Sequence, residues 1–292
     1  MRKGNTDVKI IQISDTHITH LGGTTNENAE RAIRFINSLQ ADLVVHTGDV
    51  TIMDPDRDAD REVAARILAG VEAPLKVIPG NHDVGEPGDN PFGDRPVTSE
   101  RVAAYRAHFG DDRFVELVGD WAVVGIDSEL FESGLPEEAE QWEWLERLPE
   151  VVAERPALVF THKPIRAPRA EQQDTHLSIG SVAAPRLEES LAKIDVRGYG
   201  SGHLHHYALT WLDGRPVVSA PSTAFNVASE TSAELMGPGL SQLGIVEWAL
   251  AERTAKPYFR APLDLEDAFL LEIDAVRAAL DEMGISLTGL SA

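Results

Sequence analysis

Short apolar runs alternate along this chain with segments in which apolar residues recur every three or four positions. Val8 to Ile13, Leu43 to His46 and Leu75 to Ile78 read as strands, and helical spacing runs over Glu27 to Leu39 and Ala59 to Leu68 between them. This βαβα succession predicts a largely parallel sheet whose crossover helices cover its faces. In such a sheet, functional side chains gather just beyond the C-terminal ends of the strands.

Downstream the pairing becomes more local. Ser99 to His108 reads as a helix, and FVELVGDWAVVGID as a hairpin turning at Gly119 and Asp120. Glu137 to Leu148 is helical, with Trp142, Leu145 and Leu148 on one side, and Ala157 to Phe160 is a further strand. Arg166 to Ser181 has no clear period and reads as a loop, and after Glu188 to Ile194 the pattern changes. YALTWLDGRPVVSAPST, with a hairpin signal at Asp213 and Gly214, and the later GIVEWAL read as short strands, expected to form a second sheet packed on the first. Leu265 to Met283 is expected to be helical, covering a sheet face or meeting a second copy in a homodimer. No repeat, low-complexity tract or linker interrupts residues 1–292, which are expected to form a single domain.

Charge narrows the partners. With 26 Lys and Arg against 48 Asp and Glu the net charge is -22, so the long-range field repels nucleic acid and anionic membranes, and neither is expected as a partner. No basic run forms a nucleic-acid groove and no basic amphipathic helix suits a lipid surface. An anionic substrate therefore needs a local reversal of sign. The absence of cysteine excludes disulfides, thiolate ligands and a thiol nucleophile. MRKGNTDVKI carries no signal-peptide pattern, and no run reaches the roughly 18 apolar residues of a membrane span, so a soluble, cytoplasmic protein is expected.

Five polar clusters punctuate the strand ends. SDTH brings Asp15 and His17, TGD brings Asp49, GNHD brings Asn81, His82 and Asp83, THK brings His162, and GHLH brings His203 and His205. In an extended segment residues i and i+2 share a face, so Asp15 with His17 and His203 with His205 are each expected to converge. Any one cluster is explained by a turn or a satisfied buried histidine. Their collection at strand ends is not, because five of the ten histidines fall inside the clusters, beside carboxylate and carboxamide groups that suit a divalent transition metal.

The ordered set Asp15-x-His17, Gly48-Asp49, Gly80-Asn81-His82-Asp83, His162 and Gly202-His203-x-His205 resembles the calcineurin-like metallophosphoesterases, from about Val8 to Tyr207. The resemblance implies an α/β four-layer αββα sandwich, two mixed sheets flanked by helices, with a dimetal site at the C-terminal strand ends. It implies Asp15, His17 and His205 on one ion, Asn81, His162 and His203 on the other, and Asp49 bridging them. Two metal ions, with Mn, Fe or Zn the leading candidates, would activate a hydroxide for attack on phosphorus in a small soluble phosphoester or a phosphoprotein. Cyclic-nucleotide phosphodiesterases share these motifs and are the nearest alternative. A metal-stabilised binding protein without catalysis is the alternative of another class. No tyrosine lies near Asp49, which sets the chain apart from the purple acid group.

His82 is expected to act in catalysis, stabilising phosphoryl charge or protonating the leaving oxygen, and Asp83 to orient His82 or another imidazole. Lys163, Arg166 and Arg169 form a small basic group, read as solvated loop cations or as a clamp for a second phosphate. His206 is expected at the surface or behind the ligands, the Thr16 hydroxyl in turn satisfaction, and His20 and His46 receive no role.

Overall fold

Along β1 (Val8–Ile13) the side chains divide by parity between two layers. Ile11 and Ile13 pack on Ala32 and Ile36 of the helix α1 (Thr24–Leu39), whereas Ile10 faces an apolar layer on the opposite side. The computed structural model describes residues 8–52, 54–88, 95–169, 173–227 and 239–282. β1 is the centre of a five-stranded sheet: β2 (Leu43–His46) and β3 (Leu75–Val77) run parallel to it on one side, and on the other β10 (Ile245–Ala251) is antiparallel to β1 and β11 (Thr254–Arg260) antiparallel to β10.

The second sheet holds six strands. Its parallel centre is β5 (Trp121–Ile126), β6 (Pro156–Thr161), β7 (Asp195–Ser201) and β9 (Arg215–Ser219), with β4 (Phe114–Val118) and β8 (Ala208–Leu212) as antiparallel edges. Outside it, α5 (Pro136–Val152) and α6 (Ala183–Leu191) bury Leu145, Leu148, Leu187 and Leu191 against Val124 and Val159. Outside the first sheet lie α1, α2 (Asp58–Leu68) and α4 (Ser99–Phe109), joined through Ile33, Leu68, Val77 and Val102. Between the sheets, Ile10, Val45, Phe160, Val218 and Trp248 form one shared core. These are the four layers αββα. No helix among the described residues is long and apolar enough to cross a membrane.

Two sequence expectations need correction. GIVEWAL joins the first sheet rather than the second: β10 pairs Trp248 with Ile10, and the Trp248 indole N–H donates to Gln12 Oε1 at 3.1 Å. β11 then extends that edge, where Pro257 is tolerated because an outer strand need not donate on its free side. The C-terminal helix is also shorter than 265–283. Asn226 N–H donates to Ala268 O at 2.8 Å and Leu270 N–H to Asn226 O at 3.1 Å, so Phe269 bridges to Asn226, and Leu270–Glu272 make one 3-10 turn before α7 (Asp274–Glu282) begins. Met283 lies outside the described residues. Ile273 and Val276 pack against Ile52, Ala224 and Phe225.

One buried polar side chain ties the sheets together at the end where the polar clusters lie. Gln12 Nε2 donates to Thr47 Oγ1 at 3.2 Å and, across the sandwich, to Ser201 O at 3.0 Å. Replacing it strands a buried indole N–H and a carbonyl, each costing about 1–3 kcal/mol. We predict that Gln12→Leu lowers the urea midpoint at unchanged m-value and that adding Trp248→Phe recovers part of the loss. An unchanged midpoint in the single variant would contradict this role.

Candidate metal centre

Parallel strands from both sheets end at one edge, and all five polar clusters begin there. Asp15 and His17 follow β1, Asp49 follows β2, and Asn81 and His82 open the one-turn helix α3 (Asn81–Val84) after β3. His162 follows β6, and His203 and His205 follow β7. The loops are laced together by backbone: Asp15 N–H donates to Gly48 O at 3.0 Å, His17 N–H to Asp49 O at 3.1 Å and Gly202 N–H to His162 O at 2.9 Å.

The convergence does not come from extended backbone. Asp15 (φ 53°), His17 (44°), Asp49 (52°), His203 (70°) and His205 (50°) are all left-handed, five of the ten described non-glycine residues with positive φ. That conformation costs a non-glycine residue about 1 kcal/mol or more and collects at functional sites. Strand alternation pairs Asp15 with His17 correctly but for the wrong reason, and it fails for His203 and His205, which point into different ligand groups: tight left-handed turns, not a shared strand face, aim these side chains inward.

Glycine makes the crowding possible. Gly48, at φ +91°, lies where a Cβ would come within 2.6 Å of His162 Nδ1, and a Cβ on Gly80 would collide with the carboxylate and amide of Asp49. The strand ends of the two sheets meet at a distance that only a missing side chain allows.

Two candidate cation positions result. Asp15, His17, Asp49 and His205 present ligand atoms within 4.8 Å of one another, and so do Asp49, His162 and His203. Asn81 joins the second group, its Oδ1 lying 3.2 Å from His162 Nε2. Asp49 belongs to both, with Oδ1 at 3.3 Å from His162 Nε2 and Oδ2 at 3.8 Å from His17 Nε2.

The ring nitrogens are set for this purpose. His162 Nδ1–H donates to Thr47 O at 2.7 Å, His205 Nδ1–H to Phe225 O at 2.9 Å and His203 Nε2–H to His176 O at 2.7 Å. Each carbonyl fixes one tautomer and leaves the other nitrogen's lone pair aimed at the cluster, as in histidines that hold metals. His205 Nε2 then lies 2.9 Å from His17 Nε2 and 3.3 Å from Asp15 Oδ1, a contact of acceptors that requires a proton or a cation. Nitrogen and oxygen donors of this kind suit a divalent transition metal, so the residues present fit the group.

Electrostatics agree. Burial, and then His205, push the His17 pKa well below the ordinary histidine value, and burial with the charge of His162 does the same to His203. Burial opposes ionisation of Asp49, but the imidazoles of His162, His82 and His17 hold its carboxyl well below the usual range. At His162 burial is outweighed by the charge and hydrogen bond of Asp49, which raise it to about 10. The proton on His162 thus takes the place that a cation takes beside a metal-binding carboxylate.

The remaining residues sort by contact. His82 is only half-buried, stands edge-on to His17 at 5.1 Å between ring centroids, and puts Nε2 3.8 Å from Asp49 Oδ2. Asp83 is turned toward backbone rather than an imidazole: it accepts from the amides of Gly80, Val50 and Thr51 at 2.9, 3.1 and 2.9 Å, holding the turns that carry Asp49 and Asn81. His46, given no role by sequence, links two ligand loops. It accepts from Gly48 N–H at 3.2 Å and meets Thr16 Oγ1 at 3.0 Å, and the Thr16 hydroxyl donates to Val50 O at 3.1 Å. Its only sequence signal was a histidine inside an apolar strand. His20 pairs with Asp60 at 2.6 Å, and His206 is buried against Gly239 and Ser241 rather than at the surface. The basic group dissolves: Lys163 is buried between Glu86 and Glu129, Arg166 pairs with Glu188 at 2.5 Å, and Arg169 is exposed. Phe225 was missed by sequence, yet its ring stacks on His17 at 4.8 Å while its carbonyl holds His205.

A model of the calcineurin-like phosphoesterase family matches residues 8–207, which contain all five clusters. The chain is 30% identical to the 3',5'-cyclic adenosine monophosphate phosphodiesterase CpdA of Escherichia coli, over 75% of its own length and 78% of that protein. It is 28% identical to the probable glycerophosphodiester phosphodiesterase GpdQ of Arcobacter nitrofigilis, over 75% and 80%. In fold it is similar to a dimetal phosphatase from Danio rerio, with a TM-score of 0.56 at 14% identity over 88% of this chain and 96% of that one. With the family match spanning the site and the αββα sandwich delivering its residues to one edge, the chain belongs to the calcineurin-like phosphoesterases and is a metal-dependent phosphoester hydrolase.

Proposed function

We propose that this protein hydrolyses a small soluble phosphodiester, using two cations held on either side of Asp49. The observation that carries the reading is the membership of Asp49 in both ligand groups, one oxygen turned to each. Asp15, His17 and His205 would complete one position, and Asn81, His162 and His203 the other. Mn, Fe and Zn all suit this donor set. When bound, the cation pair supplies a water of lowered pKa and positive charge opposite the phosphoryl oxygens. That is the local reversal of sign a chain of net charge -22 needs to receive an anion.

The chain's own groups do the rest. His82 is the half-exposed imidazole beside the buried His17 and His205, so it meets a substrate entering from solvent and can donate to a phosphoryl oxygen or to the leaving oxygen. Burial lowers its pKa while Asp49 pulls the other way. Asp83 keeps Asp49 and Asn81 in register by fixing the amides of both turns. The diester preference draws support from the two phosphodiesterases above, which match three quarters of the chain, and cyclic nucleotides and glycerophosphodiesters are the first natural candidates. One core shared by both sheets supports reading residues 1–292 as a single catalytic unit.

Three outcomes follow from these roles. Protein reconstituted with Mn turns over bis-p-nitrophenyl phosphate faster than p-nitrophenyl phosphate; the reverse ratio would move the substrate to a monoester or phosphoprotein. Asp49→Asn loses both cations by elemental analysis and falls to background turnover. His82→Ala keeps both cations and loses roughly 10²- to 10⁴-fold in kcat, the usual contribution of a positioned proton donor. If His82→Ala stripped the cations as Asp49→Asn does, the division between holding and reacting groups would be wrong.

A further inference from the structure

Lys163 directly follows His162 and is fully buried, an unusual place for an ammonium in a loop next to a solvent-facing site. It makes two hydrogen bonds and one further ion pair. Nζ donates to Glu86 Oε2 at 2.7 Å, lies 3.0 Å from Glu129 Oε2, and donates to the backbone carbonyl of Thr175 at 2.6 Å. Its own amide donates to Ser128 Oγ at 2.9 Å, and the Ser128 hydroxyl donates on to Glu129 Oε1 at 3.0 Å. These partners lie on separate segments: Glu86 follows the turn carrying Asn81 and His82, Ser128 and Glu129 follow β5, and Thr175 belongs to the loop between β6 and α6.

The contact with Thr175 is the informative one. The next residue, His176, supplies the carbonyl that accepts from His203 Nε2–H at 2.7 Å. That carbonyl decides which nitrogen of His203 faces the cluster. The 173–179 loop is irregular, and Asp174 caps it locally by accepting from the amides of His176 and Leu177 at 2.9 and 2.8 Å. Its attachments to the neighbouring segments include the Lys163 ammonium and an approach of His176 Nδ1 to Glu86 Oε2 at 3.5 Å, the carboxylate that Lys163 also holds. The onward link to the first position is made by backbone: His203 N–H donates to Asp15 Oδ1 and Oδ2 at 3.2 Å, a contact that does not depend on which ring nitrogen of His203 faces the cluster.

We propose that Lys163 is a positioning residue for one cation position only, that of Asn81, His162 and His203. It pins Glu86 directly after Gly85, whose N–H closes the α3 turn on Asn81 O at 3.0 Å, and it pins Thr175 so that the His176 carbonyl holds His203 with Nδ1 inward. This rests on the two-cation reading above and adds an asymmetry that the ligand list does not contain. The buried tie makes the second position dependent on an ion-paired ammonium, whereas the first is anchored through the carbonyl and ring of Phe225 in the segment after β9.

The test compares wild-type protein with Lys163→Met and Lys163→Arg, each stripped of metal and titrated with Mn by calorimetry. Wild type should bind two equivalents. Lys163→Met should bind the first as wild type does and the second 10- to 100-fold more weakly, the usual effect of removing a group behind a metal-bound histidine. Lys163→Arg, which keeps the charge but not the fit, should fall between. Nitrogen-15 spectra of the metal-free protein give a readout without turnover: His203 should show a single Nε2–H tautomer in wild type and a mixture in Lys163→Met. If the stranded carboxylates prevent folding, Lys163→Met with Glu129→Gln removes one of those charges and carries the same expectations. Two cations bound equally well by wild type and variant, with an unchanged His203 tautomer, overturn this proposal alone. A wild type that binds fewer than two overturns the two-cation reading and this proposal with it.

Discussion

Asp49 is buried where strand ends from both sheets meet, and an ionised carboxylate in that position requires positive charge around it. Much of the local architecture answers that requirement. Gly48 and Gly80 remove the side chains that would hold His162 and the neighbouring turn away from it. His82 N–H donates to its Oδ1 at 2.9 Å, and His17 and His162 approach its two oxygens from opposite sides. Without cations a proton on His162 provides part of the compensation; with them, the same geometry holds charge that a phosphoester can use. A site of this kind stores its cost in backbone strain and buried charge, and the four-layer sandwich supplies the packing that keeps it closed.

The supports behind the ligands differ between the two cation positions. On the side of His17 and His205 the backing is aromatic and continuous with the C-terminal segment, since Phe225 stacks on both rings and packs in turn on Ile273. On the side of His162 and His203 the backing is ionic, built from Lys163, Glu86 and Glu129. That ionic backing holds only while each charge keeps its partner.

Much of this was legible in the sequence. Apolar periodicity located the parallel strands except β7, whose sequence DVRGYGS has too few apolar residues to show the pattern, and the polar clusters named the residues that the structure gathers. Three features were hidden, each for a physical reason. Spacing alone could not show that Asp15, His17, Asp49, His203 and His205 turn through left-handed backbone, and so strand alternation paired His203 with His205, which the turns send to different ligand groups. The sheet that takes GIVEWAL is decided by a distant partner, as the Trp248 indole seeks Gln12 across the chain. Lys163 looked like a loop cation because its acceptors, Glu86 and Glu129, come from segments 77 and 34 positions away.

If Asp49 is shared between two cations, anomalous diffraction from crystals soaked in Mn locates both. Two anomalous peaks about 3.5–4 Å apart, one against each Asp49 oxygen, are expected. A single peak, or two peaks of which one lies out of reach of Asp49, would contradict that sharing.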